Sequence, residues 1–178
     1  MKNLVIGQSG GPTAVINASL YGAVKAFRES GADGHVLGMI NGIEGFLADH
    51  VMDLSTDLSD KELELLKLTP AAYLGSCRYK LPADLDSEVY PAIFDNFREM
   101  NIGYFLYVGG NDSMDTVDKL SRYAEKIGSD VKFIGIPKTI DNDLVLTDHT
   151  PGFGSAAKYV ASTVREIVLD ASVYQQRS

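Results

Sequence analysis

The chain reads as an α/β protein, a parallel sheet with helices on both faces. Three features of the sequence predict this. Short apolar runs alternate with longer segments of helical period. The runs end in glycine-rich turns, and polar and acidic residues gather just after those turns. Strand followed by helix, repeated, brings strands side by side in parallel, because the crossover helix must cover a face of the sheet before the chain returns.

Leu4, Val5 and Ile6 form the first buried run, which leads into Gly7-Gln8-Ser9-Gly10-Gly11-Pro12. A helix is expected over residues 13–29, with Val15, Ala18, Ala23 and Phe27 toward the core. Gly31 and Gly34 end it, and residues 35–40 form the next strand. Ser59 and Glu62 have the spacing of a capping box, so a helix runs from there to Leu68. Asp86 is placed to cap a further helix that carries Val89, Ile93 and Phe97. Residues 104–108 are the third strand, closed by Gly109-Gly110, and a helix follows over 113–126. Residues 131–136 are a strand stopped by Pro137, and a last helix fills much of 155–173. Neither an internal repeat nor a linker interrupts this order.

The length of 178 residues suits one domain with a full core, or one large piece of something bigger. With 45% hydrophobic and 22% charged residues, the composition is that of an ordinary globular chain. The balance of 16 basic against 24 acidic residues, net −8, gives no bulk attraction to nucleic acid or to an anionic membrane surface. Any phosphate must therefore be held by local devices. Cys77, the single cysteine, excludes an internal disulfide and fits a reducing compartment. No apolar run has the length of a membrane span, and the N-terminus reaches glycine too soon for a signal peptide, so the expected location is cytoplasmic. His35, His50 and His149 are too scattered to suggest a metal site.

Three loops carry the chemistry. Gly10-Gly11 lies between a strand and a helix, where glycine lets backbone N–H groups approach an anion. The spacing matches neither the dinucleotide fingerprint nor the P-loop, and a tight turn needed only for its geometry explains it equally well. Gly109-Gly110-Asn111-Asp112-Ser113 adds an amide, a carboxylate and a hydroxyl at the start of a helix. Asn111 and Asp112 suit the protein side of a magnesium bridge to phosphate oxygens, and a simple helix cap is the competing reading. Pro137-Lys138-Thr139-Ile140-Asp141-Asn142-Asp143 brings together a lysine, a hydroxyl and two carboxylates. In an extended segment Asp141 and Asp143 point the same way and address one site. One can accept a proton from a substrate hydroxyl while the other helps hold metal, and Lys138 offers a compact charge to a phosphate. A solvated charged turn is the bland alternative.

These motifs, together with Gln8-Ser9, Gly75-Ser76-Cys77-Arg78 and Gln176-Arg177, stand in the order found in the phosphofructokinase family, which the chain resembles over nearly its whole length. The resemblance implies the following roles. Gly10, with Gly11, lines the phosphoryl-donor site and Arg78 reaches the donor phosphates. Asn111 stands at the magnesium-binding aspartate of ATP-dependent members. Thr139 and Asp141 meet the sugar phosphate, Ile140 lies in the same run, Asp141 is general base on the 1-hydroxyl, and Asp143 supports the site. Arg177 matches an arginine that touches the sugar phosphate, in many members across a subunit boundary.

Two departures resemble the pyrophosphate-dependent members: Asp112 and Lys138 each replace a glycine of the ATP-dependent pattern. A carboxylate in place of glycine fills space and repels the α-phosphate of a nucleotide, and the lysine supplies a cation for a shorter donor. The resemblance thus implies transfer from pyrophosphate to fructose 6-phosphate, with Mg2+, in an enzyme that is a homo-oligomer at full length. An ATP-dependent enzyme of the same class is the first rival reading. The second is a phosphate-binding domain inactive on its own, because the family continues past the last residue here with a second, substrate-binding domain.

Overall fold

The computed structural model describes residues 2–174. Five strands, β1 (Asn3–Gln8), β2 (Val36–Met39), β3 (Val51–Asp53), β4 (Ile102–Gly109) and β5 (Lys132–Pro137), form one sheet in the order β3-β2-β1-β4-β5. β1 pairs in parallel with β2 on one side and β4 on the other, and β4 pairs in parallel with β5. The expected parallel sheet has one exception. β3 runs antiparallel to β2 as an edge strand. Only the short helix α2 (Gly42–Leu47) separates these two strands, too little chain for a parallel crossover. Both elements escaped the sequence reading because each is shorter than the periods by which helices and strands are recognised.

Side chains alternate across the strands and build two cores. Val5, Phe105 and Tyr107 face α2, α4 (Val89–Glu99) and α5 (Asn111–Ile127), meeting Ile43, Phe46, Ile93, Phe97 and Leu120. Leu4, Ile6, Leu106 and Val108 face the other way, toward Ile16, Leu20 and Val24 of α1 (Ile16–Glu29) and Leu63 of α3 (Asp60–Leu65). Helices therefore cover both faces, as expected.

Several details differ from the sequence reading. α1 begins at Ile16, and its innermost residues are Ile16, Asn17, Leu20 and Val24. Val15, Ala18, Ala23 and Phe27 are only half-buried, because the later start turns a different stripe toward the sheet. Asp86 does not cap α4, whose N-cap is Glu88 with no side-chain bond, and it pairs with Lys126 instead. The capping box of α3 is present as expected: the Glu62 N–H donates to Ser59 Oγ, and the Ser59 N–H donates to the Glu62 carboxylate. A 3-10 turn, Leu66–Leu68, completes that segment. α6 (Phe153–Ser172) has no buried residue among those described.

Topology places the site. From β1 the chain moves to β2 on one flank, then returns to β4 on the other. Such a reversal opens a crevice beyond the carboxyl ends of the two central strands, where α/β sheets bind ligands. The turn after β1 and the start of α5 flank that crevice, and the segment after β5 joins them.

Candidate active site

Backbone hydrogen bonds continue past the strand ends and hold these three segments together. The Ser9 N–H donates to the Val108 carbonyl at 2.9 Å, and the Lys138 N–H donates to the Gly109 carbonyl at 2.9 Å. Ser9 Oγ and Ser113 Oγ, both buried, share a bond of 2.8 Å. Gly109 is required for this approach, since a Cβ there would lie 1.9 Å from Ser113 Oγ. The cap reading of the Gly109 motif does not hold. Gly110 occupies the N-cap of α5 with no side-chain cap, so Asp112 and Ser113 are helical residues with other partners.

The segments enclose a cavity of about 450 Å³ lined by residues 9–13, 77–80, 110–113, 138–141 and 143. Gly10, Gly11, Arg78, Asn111, Asp112, Lys138, Thr139, Ile140, Asp141 and Asp143 are thus brought together in one place. Arg177 lies outside the described residues.

Lys138 is the centre of positive charge. It is 2% exposed, and its Nζ donates to the Gly11 carbonyl at 2.6 Å. Among the described residues no carboxylate lies within salt-bridge distance of it. Burial without a counter-ion pushes its pKa below the ordinary lysine value. Gly10 makes room for the ammonium: at φ 74° its backbone suits glycine, and a Cβ would sit 3.3 Å from Lys138 Nζ. The dipole of α1 adds little at this turn, since the helix begins well past Gly11 and the effect fades within the first turn.

The acidic side is held by cross-links between segments. Asn111 Nδ2 donates to Asp143 Oδ2 at 2.5 Å and ties the start of α5 to the loop after β5. Asp112, largely exposed, pairs with Lys80 at 3.1 Å. Asp141 and Asp143 do line one cavity, but not because the chain is extended there. Asn142 between them has φ 54°, in the left-handed region, which breaks the alternation on which the sequence argument relied.

Among the described residues no group of three or more His, Cys, Asp or Glu side chains is placed to hold a metal. Magnesium does not need one. It commonly takes one or two protein carboxylates and completes its shell with phosphate oxygens and water. The carboxylate of Asp112 on the cavity wall, beside the amide of Asn111, fits that role. With the nitrogen of Asn111 committed to Asp143, the atom it has for a cation is Oδ1.

Sequence reasoning passed over several cavity residues. Lys80, two residues beyond Arg78 in the same loop, was signalled only by that spacing. Thr13 Oγ1 is buried and has no hydrogen-bond partner among the described residues. Cys77 Sγ on the cavity wall lies 3.6 Å from the Oη of Tyr107 in the core, and burial raises the Tyr107 pKa so that its hydroxyl stays neutral.

The family model described as phosphofructokinase matches residues 3–178. This chain belongs to the phosphofructokinase family. It is 46% identical over 171 residues to the pyrophosphate--fructose 6-phosphate 1-phosphotransferase of Halomonas elongata, an alignment covering 94% of this chain and 40% of that protein. It is 45% identical to the protein of the same name from Xanthomonas campestris, over 99% of this chain and 42% of the other. Among solved structures, the pyrophosphate-dependent phosphofructokinase of Nitrosospira multiformis superposes with a TM-score of 0.87 at 43% identity, over 95% of this chain and 42% of that one. The phosphofructokinase segment described here thus spans about two-fifths of the length of the relatives it matches.

Proposed function

We propose that this chain is the donor-binding domain, residues 1–178, of an enzyme that transfers a phosphoryl group from pyrophosphate to the 1-hydroxyl of fructose 6-phosphate. The products are fructose 1,6-bisphosphate and phosphate, and the reaction runs in both directions in carbohydrate metabolism. One observation carries the reading: a buried ammonium, Lys138, set against the Gly10-Gly11 turn with the Asp112 carboxylate on the wall of the same cavity. A buried cation lacking a carboxylate partner is costly, and a small polyanion in the cavity offsets that cost. The names of the relatives point to the same donor.

In this reading Lys138 and Arg78 neutralise and position the pyrophosphate, while the backbone at Gly10 and Gly11 lets it approach closely. Thr139, Ile140 and Arg177 contact the sugar phosphate. Asp141 accepts the proton of the attacking hydroxyl and Asp143 supports it. Magnesium, held by Asp112 and Asn111, supplies further neutralisation of the donor charge when bound. Phosphoryl transfer asks little covalent work of the protein, so placement and charge dominate. We place the full-length enzyme in the cytoplasm as a homo-oligomer, in keeping with the single free cysteine, Cys77, and the uncovered apolar residues of α6. Among the described residues no helix is long and apolar enough to cross a membrane.

The test is a donor-swap assay on the full-length protein with fructose 6-phosphate as acceptor. Turnover with pyrophosphate and none with ATP is expected. A preference for ATP would overturn the assignment of Asp112 and Lys138.

A further inference from the structure

We infer that Asn142 is a positioning residue: its side-chain amide fixes the loop that presents Asp141 and Asp143 to the cavity. The inference rests on the reaction class proposed above, but not on which donor the enzyme uses.

Asn142 is not itself a lining residue of the cavity, whereas both of its neighbours are. Its φ of 54° turns the chain between them. Asparagine adopts this left-handed conformation far more readily than most residues, because its short amide can bond the local backbone there. It does so on both sides of the amide. Oδ1 accepts from the Thr150 N–H at 2.9 Å, and Nδ2 donates to the Asp148 carbonyl at 3.1 Å. These bonds close the loop from residue 142 onto residues 148–150.

The far end of that closure is firmly seated. Thr150 is 3% exposed and its Oγ1 donates to the Thr139 carbonyl at 2.8 Å. The Thr139 N–H donates to the Pro151 carbonyl at 3.0 Å, and Thr139 forms a parallel bridge with Gly152. Residues 139 and 150–152 are thus a fixed base joined to the end of β5. Asn142 attaches the intervening exposed loop to this base. The remaining contacts continue the frame on either side: the Asp141 N–H donates to Thr139 Oγ1 at 3.0 Å, and Asp143 is held by Asn111. Without the amide, the two carboxylates sit on a loop anchored before and after them but not at its turn. A displacement of about 1 Å at a reacting group can cost about a hundredfold in rate. The role belongs to placement, so its loss falls on kcat rather than on donor binding, which lies with Lys138 and the Gly10 turn.

The experiment uses the full-length enzyme, its preferred donor (pyrophosphate or ATP) and three variants. Asn142→Gly keeps the left-handed turn without strain but lacks the amide. Asn142→Ala lacks the amide and adds strain. Asn142→Asp keeps an acceptor for the Thr150 N–H and tolerates the turn. Asn142→Gly is expected to lower kcat by about tenfold to a hundredfold, with the donor KM within about threefold of wild type. Hydrogen exchange at the Thr150 amide should quicken in Asn142→Gly and Asn142→Ala and return toward wild type in Asn142→Asp. Thermal melting of each variant separates loop loosening from global unfolding. The inference is overturned if Asn142→Gly keeps kcat within about twofold of wild type, or if Thr150 exchange is the same in all three variants as in wild type. A wild type that prefers ATP would sink the donor assignment alone, since the Asn142 comparison reads the same with either donor.

Discussion

The ammonium of Lys138 donates to the carbonyl of Gly11 across 2.6 Å, joining the segment after β5 to the turn after β1. A dipole is a weaker partner than a carboxylate, so the charge is held in the cavity with much of its field unanswered. A buried charge held this way costs the fold stability and would be offset by an anion in the cavity.

Lys138→Met tests this trade-off, since methionine has similar length and no charge. The variant is expected to stabilise the fold by on the order of 1 kcal/mol, because the desolvation of a buried ammonium is removed and only the Gly11 carbonyl loses a partner. In the full-length enzyme the KM for pyrophosphate should rise by about tenfold or more, for loss of a charge-assisted contact. Denaturant unfolding and steady-state kinetics check the two signs separately.

The lowered pKa of Lys138 sets a pH dependence. Its folded-state pKa lies below the ordinary 10.5, so between the two values the unfolded chain holds more protons. Stability therefore rises with pH in the window below 10.5, the opposite of a lysine that gains a carboxylate partner on folding. Donor affinity should fall over the same window, as the protonated form is lost. Urea midpoints and donor KM across pH, each compared with Lys138→Met, isolate the contribution of this one group.

Asp112→Gly removes the carboxylate at the cavity wall and its contact with Lys80. Measurable ATP-dependent turnover is expected in the full-length variant where the wild type shows none, if bulk and charge at this position exclude the nucleotide. Glycine in the first turn of α5 should cost the fold about 1 kcal/mol. A coupled assay with each donor decides the first point, and a thermal melt the second.

Asp141→Ser keeps a small polar side chain but no proton acceptor of comparable basicity. Turnover should fall by about a hundredfold or more, while the KM for pyrophosphate changes little. Near-normal turnover would remove Asp141 as the general base.

Gly109→Ala places a methyl group where Ser113 Oγ stands, 1.9 Å from the new carbon. Relief requires the Ser9–Ser113 bond to break or α5 to shift. A loss of about 2–3 kcal/mol is expected, as for overpacking in a close-packed interior, and denaturant unfolding measures it.

Much of this protein was legible before any coordinates. Glycines after apolar runs, and the acids and lysine that follow them, mark loops at strand ends without help from distant contacts, so the places of the three site loops could be read directly, but not the left-handed turn at Asn142 between Asp141 and Asp143. The Ser59–Glu62 capping box is of the same kind, a bond between near neighbours. What tertiary structure alone decided is long-range. Which stripe of α1 faces the sheet depends on where Asn17 and Ile16 meet their partners, not on periodicity, which permits several stripes. β3 and α2 are too short to leave a periodic signal and exist through their neighbours. The burial of Lys138 against Gly11, the link from Asn111 to Asp143 and the attachment of Asn142 to Thr150 all depend on how segments meet in space. Residue type set what each side chain could do, and packing set which of those capacities is used.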